Sequence, residues 1–207
     1  MPAPTSLLHS TTDCADEAFA GLDLAAAALP ARTFQDCTFT SCNFSDASLA
    51  GSRFQECVFE ECNLSNAKLT NTRLASVRLL RCKLAGVNFT ACDEFLFDAF
   101  FDGCDLSYAV LQRMKLRKEK FLHCKLVEAD FSDADLTGAD FSGSDLRRAT
   151  FRRTNLQKAD LRSAVNYEFD LRDCDVRGAR CSLPEAGQLL RVFGVLLDEE
   201  PARGKRR

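Results

Sequence analysis

Counting by fives from Phe19, every position through Phe34, Phe44, Phe54, Leu64, Leu74 and Leu84 to Phe89 is Phe or Leu. After a slip of two residues the count resumes at Leu96 and runs through Phe101, Leu111, Phe121, Phe131 and Phe141 to Leu161. Asn166 interrupts it, and Leu171, Val176 and Cys181 continue in the same phase. Neither regular element has this period, because an amphipathic helix needs apolar spacings of three and four and a half-buried strand needs alternation. Two residues before a centre the chain is usually small: Cys37, Cys42, Ala47, Ser52, Cys57, Cys62, and later Ala129, Ala134, Ala139, Ser144.

A five-residue unit cannot bury its own apolar side chain, so it must form one side of a structure that closes and stacks. Four sides per turn give a coil of twenty residues, with residues twenty apart lying about 4.8 Å above one another. The cysteines support four sides, since Cys42, Cys62 and Cys82 recur at twenties, as do Cys37 with Cys57 and Cys104 with Cys124. Phe34 over Phe54, and Phe101 over Phe121 over Phe141, should form aromatic columns. Asp or Asn just before many centres (Asn43, Asn63, Asp105, Asp130, Asp135, Asp140, Asp145) suits turns in which the side chain accepts from nearby backbone.

The run "ADFSDADLTGADFSGSDL" resembles the pentapeptide-repeat family, whose pattern is A-[D/N]-[L/F]-x-x, and looser copies extend from residue 19 to 181. The resemblance implies an all-β solenoid, a right-handed quadrilateral β-helix, here of about eight coils. Residues 1–16 then form an N-terminal segment, 17–92 a first repeat block, 93–100 a register break and 101–182 a second block. Residues 183–198 would be a C-terminal helix plus short strand, and 199–207 a basic, disordered tail. Within "SLPEAGQLLRVFGVLLD", Ser182 and Glu185 read as a capping box, with Pro184 in the first turn and Gly194 as the stop. Leu183, Ala186, Leu189, Leu190, Phe193, Val195 and Leu197 make this segment a lid on the last coil, a homodimer interface, or both.

A long repeat with one break and a terminal "SLPEA..LL" segment looks like the topoisomerase-protecting branch of that family. This branch holds the Qnr-type quinolone-resistance proteins and the self-resistance proteins against albicidin and microcin B17. It implies a dimeric rod that imitates duplex DNA and binds DNA gyrase or topoisomerase IV. The break, "TACDEFLFDAFFDGCDL", carries Asp93, Glu94, Phe95, Phe97, Asp98, Phe100 and Asp102. These residues either fill a kink or form a partner-contact patch, which would extend to Asp140 and Asp160. Only two extra residues separate Phe89 from Leu96, so no long loop projects, a departure from the resistance proteins.

Charge alters this picture. The net charge is −3, and Arg203, Lys205, Arg206 and Arg207 sit at the end, so the repeat itself is more acidic. That disfavours direct nucleic-acid binding by a basic surface. Columns of twenty alternate in sign: Arg113, Asp133, Arg153, Asp173; Glu128, Arg148, Glu168; and Asp105, Lys125, Asp145. Between residues 99 and 178, the face centred on Phe101, Phe121, Phe141 and Leu161 is acidic, while the face centred on Leu116 and Leu136, with Lys115, Arg117 and Lys118, is basic.

Eleven cysteines without a C-x2-C pair read as small core residues in a reducing compartment rather than as a metal site. The histidines are His9 and His123 alone, and no G-x-x-x-x-G-K-[ST], G-x-S-x-G or H-E-x-x-H occurs. The sequence therefore predicts no catalytic residue, no cofactor and no metal. Tyr108 and Tyr167 are expected on outward positions. No run approaches the ~20 apolar residues of a bilayer span, and the start lacks the basic and apolar regions of a secretory signal, so a cytoplasmic protein is expected. A rigid interaction scaffold for an unrelated partner is the alternative function.

Overall fold

The computed structural model describes residues 13–93 and 97–196. Ten short strands come first: β1 (Cys14–Ala15), β2 (Ala18–Ala20), β3 (Thr33–Gln35), β4 (Thr38–Thr40), β5 (Arg53–Gln55), β6 (Val58–Glu60), β7 (Arg73–Ala75), β8 (Val77–Leu80), β9 (Ala99–Asp102) and β10 (Phe121–Leu122). All pair in parallel, each with the strand one coil away. One sheet runs β1-β3-β5-β7 and the other β2-β4-β6-β8-β9-β10. Register is twenty residues, as in Phe19↔Phe39↔Phe59↔Leu79. At the break it becomes twenty-two, Leu79↔Phe101, where two residues are added. The remaining sides are joined by single parallel bridges, such as Asp130↔Thr150 and Lys120↔Asp140↔Asp160↔Arg180. The fold is thus a four-sided parallel β-solenoid.

Each described centre from Phe19 to Leu161 points inward, and the interior is continuous from Cys14 to Phe169. The expected columns form, with Phe34 and Phe54 stacked at 5.0 Å, Phe101 and Phe121 at 5.2 Å, and Phe121 and Phe141 at 5.3 Å. Rings of neighbouring sides meet edge-on, as Phe121 and Phe131 do at 5.7 Å, so stacked and T-shaped contacts interlock.

Corners turn on residues with left-handed backbone two positions after a centre: Asp46 (φ 57°), Asn66 (φ 56°), Tyr108 (φ 61°) and Arg153 (φ 52°) among others. Where the following N–H reaches back to the centre's carbonyl, as Ala47 to Phe44 at 3.1 Å, the corner is a type II-like turn. After several strands that bond is missing, and the small inward residue takes over. Cys57 Sγ donates to Phe34 O (3.3 Å), Cys62 to Phe39 (3.3 Å), Cys82 to Phe59 (3.3 Å) and Cys104 to Leu79 (3.2 Å). Ser144 Oγ does the same to Phe121 O (2.6 Å), and at Phe131, where the turn bond from Ala134 N is kept, Thr154 Oγ1 adds a second bond (2.8 Å). The twenty-residue spacing of the cysteines is therefore a hydrogen-bonding device within the core.

Two details differ from expectation. Tyr167, expected outside, is fully buried, because the side after Asn166 departs from the repeat and turns Tyr167 and Phe169 into the last coil. The C-terminal element is a 3₁₀ helix, Glu185–Phe193, entered from Pro184 without a side-chain cap. Its capping box does not form, because Glu185 Oε2 accepts instead from Asn166 N (3.0 Å) and docks the helix onto the rod. Val195 and Leu196 form no strand: Gly194 (φ 75°) closes the helix by donating to the Arg191 and Leu190 carbonyls, and Val195 N also bonds to Leu190 O.

Candidate partner-binding surfaces

The aspartates before the centres make the turns expected of them. Asp105 Oδ1 accepts from Ser107 N (3.0 Å) and Asp140 Oδ1 from Ser142 N (2.9 Å). In the second block most acids also hold a base. Asp133 and Arg153 meet at 2.7 Å, Asp105 and Lys125 at 3.1 Å, and Glu128 and Arg148 at 3.3 Å, so the alternating columns are ion-pair ladders. The Arg153 hydrogen bonds hold the Asp133 carboxyl below the usual carboxylate range, and Arg162 does the same for Asp160.

The proposed partner patch is therefore mostly engaged within the rod. Asp93 pairs with Arg73 (2.8 Å), Asp98 accepts from Ser76 Oγ (2.9 Å), and Asp102 faces His123 Nδ1 (3.0 Å). Asp160 is bound by Arg162 (2.6 Å) and lies in register with Asp140. Phe97 is half-buried against Phe89 at 5.9 Å, and the Arg78 guanidinium lies over the Phe100 ring at 5.9 Å. Glu94, Phe95 and Leu96, like Leu197 and the basic tail, lie outside the described residues.

A different acidic surface stands out in the first block. Asp16, Asp36 and Glu56 occupy the same corner on successive coils, each with left-handed backbone (φ 55°, 52° and 54°) and each exposed. Stacking follows from the ladder, where Asp16 N bonds Gln35 O and Asp36 N bonds Gln55 O, both at 3.0 Å. None has an ion pair among the described residues. Asp98 continues the corner beyond Ser76, which it hydrogen-bonds. Three like charges about 4.8 Å apart along a rigid edge repel one another and attract a cationic surface. Their twenty-residue spacing is legible in the sequence, but that no base pairs with them is not.

At the far end, Leu189 is buried in the rod's own core, so it serves the lid and not a dimer contact. Ala186 is half-buried. Leu183 is 83% exposed and Leu196 91%, and Leu190, Phe193 and Val195 are each about two-fifths exposed, forming an apolar patch. The Arg172 guanidinium covers the Phe193 ring at 5.1 Å. Among the described residues no group of His, Cys, Asp and Glu is arranged to hold a metal ion, and no helix is long and apolar enough to cross a membrane.

Short parallel rungs, four inward Phe or Leu centres per coil and left-handed corners define a repeat scaffold of the β-helix class. Residues 32–94 match the model of a pentapeptide repeat region, and residues 123–165 match that of pentapeptide repeats in eight copies. The chain belongs to the pentapeptide-repeat family. Two solved structures of trypsin-treated variants of QnrB1, a plasmid-mediated fluoroquinolone resistance protein, share the fold at a TM-score of 0.56 and 21% identity. They align over 90% of this chain and over 100% and 97% of their own. HetL, a pentapeptide-repeat protein involved in heterocyst differentiation regulation in the cyanobacterium Nostoc sp. strain PCC 7120, aligns over 84% of this chain and 85% of its own, at 21% identity and a TM-score of 0.47. No curated protein matches the chain.

Proposed function

We propose that the chain is a non-catalytic binding protein that engages the DNA-binding saddle of DNA gyrase or topoisomerase IV in place of duplex DNA, as a homodimer joined through its C-terminal ends. The observation that supports this reading is the unneutralised corner Asp16–Asp36–Glu56. It presents a line of negative charge on a rod, while most acids of the second block are paired with bases of the rod itself. Binding by such a line draws on long-range attraction to a basic surface, so it weakens steeply as salt rises. The exposed patch around Leu183 and Leu196 supplies the self-association surface. Fold likeness to QnrB1 agrees with this reading.

The test is a gyrase supercoiling assay with and without a quinolone. The wild-type protein is expected to inhibit supercoiling or to relieve the drug at micromolar concentration, with an effect that shrinks on adding salt. The triple variant Asp16→Asn, Asp36→Asn, Glu56→Gln is expected to lose at least tenfold in potency. Neither inhibition nor protection at tens of micromolar would remove the topoisomerase reading and leave a rigid scaffold for another partner.

A further inference from the structure

The corner that carries Asp16, Asp36 and Glu56 continues up the rod through Ser76, Asp98, Lys118, Gly138, Lys158 and Gly178. The ladder fixes this line, with Glu56 N bonded to Ala75 O (2.9 Å), Lys118 N to Thr137 O (2.9 Å) and Lys158 N to Arg177 O (3.0 Å). Across the break, Val77 N bonds Asp98 O (3.1 Å), and the register of β9 with β10 sets Lys118 above Asp98. Charge on this corner is segregated: acids in the first block, bases in the second. The corner Arg113, Asp133, Arg153, Asp173 alternates instead and neutralises itself through Arg153. Segregated charges have like neighbours, so they stay free. Asp16, Asp36, Glu56, Lys118 and Lys158 are all exposed and have no ion pair among the described residues. Lys118 leans over Gly138 and Lys158 over Gly178, their Cγ atoms 3.6 and 3.4 Å from where a Cβ would stand. The positions flanking the acids, Gln35 and Gln55 before and Thr38 and Val58 after, are uncharged.

A partner matched to the whole edge must carry both signs in the reverse order at the same spacing. A polyanion is repelled by one half of it and a polycation by the other. A second copy running antiparallel meets the condition. One corner residue separates Asp16 from Glu56 and one separates Lys118 from Lys158, so both pairs span about 9.6 Å. From this match we infer that two copies pair edge to edge, antiparallel, about a two-fold axis midway between the Ser76 and Asp98 rungs. The axis sets Asp16 against Lys158 of the second copy and Glu56 against its Lys118, and every contact occurs twice. Asp36 then meets Gly138, where the missing side chain leaves its carboxylate between the two ammonium groups. Asp98 opposes Ser76 of the second copy and is already hydrogen-bonded to the Ser76 of its own chain (2.9 Å). Exposed ion pairs are individually weak, so the association is salt-sensitive, with a Kd of about 0.1–1 mM. It uses a different surface from the Leu183–Leu196 patch and does not depend on topoisomerase binding. Because it covers the same acids, paired copies have no free acidic corner to offer another protein.

The full chain, isotope-labelled and unlabelled in equal amounts, is treated with a carbodiimide, which joins a carboxylate to an amine in contact without a spacer. Within one rod Asp16 and Lys158 stand about 34 Å apart and Glu56 and Lys118 about 14 Å, so neither link can form inside a chain. Peptide mass spectrometry should find mixed-isotope Asp16–Lys158 and Glu56–Lys118 links at about 0.01 M salt. They should vanish at about 1 M, where charges act over only about 3 Å. Sedimentation of the Leu183→Lys, Leu196→Lys chain isolates this edge from the terminal patch. In that background Lys118→Asn with Lys158→Asn should weaken low-salt association at least tenfold, and Asn tolerates the left-handed backbone at both positions (φ 61° and 58°). Lys68→Asn, at an exposed cation on a side away from this corner, should leave association unchanged. A null result in the supercoiling assay leaves these readouts untouched, so the two readings fail separately. Absence of mixed-isotope links at this corner, links that persist at high salt, or equal losses in the Lys68 and Lys118/Lys158 variants would each overturn the pairing.

Discussion

Glu119 occupies an inward position where the coil below has Ala99 and the coil above has Ala139, both fully buried. Its carboxylate accepts a hydrogen bond from the Ala99 N–H beside the break. Burial, reinforced by the nearby Asp98 charge, pushes its pKa up to about 7 from 4.5. A raised carboxyl pKa means that the folded chain holds this proton more tightly than the unfolded chain. Its contribution to stability is thus full below pH 4.5 and is lost as pH climbs through about 7. Glu119→Gln keeps an acceptor for Ala99 and cannot ionise. It should match the wild type in denaturant unfolding at pH 4.5 and exceed it at pH 8 by on the order of 1–2 kcal/mol. A difference that stays flat across that range would sink this account. The same scale explains Asp140: its carboxylate makes its own turn through Ser142, so a charge that looks available from the sequence is partly spoken for.

Among elements, the columns of inward residues matter more than the strands, which are only two to four residues long. Stacked phenylalanines fill the side centres, and thiols or hydroxyls at the corners bond the carbonyls one coil below. This arrangement makes the cysteines unreactive. Burial pushes Cys57 up to about 11 and Cys92 up to about 12, so little thiolate exists at neutral pH. Nine of the eleven cysteines are buried, Cys174 is half-buried, and Cys181 is exposed. In the native protein, Ellman's reagent should react rapidly with Cys181 alone, then slowly with Cys174, and with the other nine only on unfolding. Fast reaction of three or more thiols in the native state would show that the coils open readily, contrary to the packing. The break is the other feature at this scale. Two added residues shift the register without ending the sheet, since β8 pairs directly with β9.

For the whole molecule, charge and apolar surface are distributed lengthwise. Among the described residues, the first block carries an unpaired acidic corner, the second carries ion-pair ladders, and the final 3₁₀ helix seals the core with Leu189 while leaving Leu183 and Leu196 in solvent. The proposed homodimer would bury this exposed apolar patch, much as stacking coils bury apolar side chains within the rod itself. Sedimentation at micromolar concentration should give a dimer mass, and Leu183→Lys with Leu196→Lys should give a folded monomer. A wild-type monomer at that concentration would refute the dimer.

The sequence by itself determined the fold and most of its interior. A side chain that recurs every five residues has only one way to be buried repeatedly, and its twenty-residue columns also set register, aromatic stacking and the ion-pair ladders. The break could be located to within a few residues, since a slip of two is visible in the count. Only the tertiary structure decided which charges remain free. Pairing depends on reach across corners as well as on column membership: Arg162 takes Asp160 from two residues away, while Asp16, Asp36 and Glu56 find no base among the described residues. The ends also required the structure, because there the repeat stops constraining the chain. Tyr167 turned inward, Glu185 left its capping role for Asn166, and Val195 joined a helix terminus, each through a single contact that no periodicity encodes.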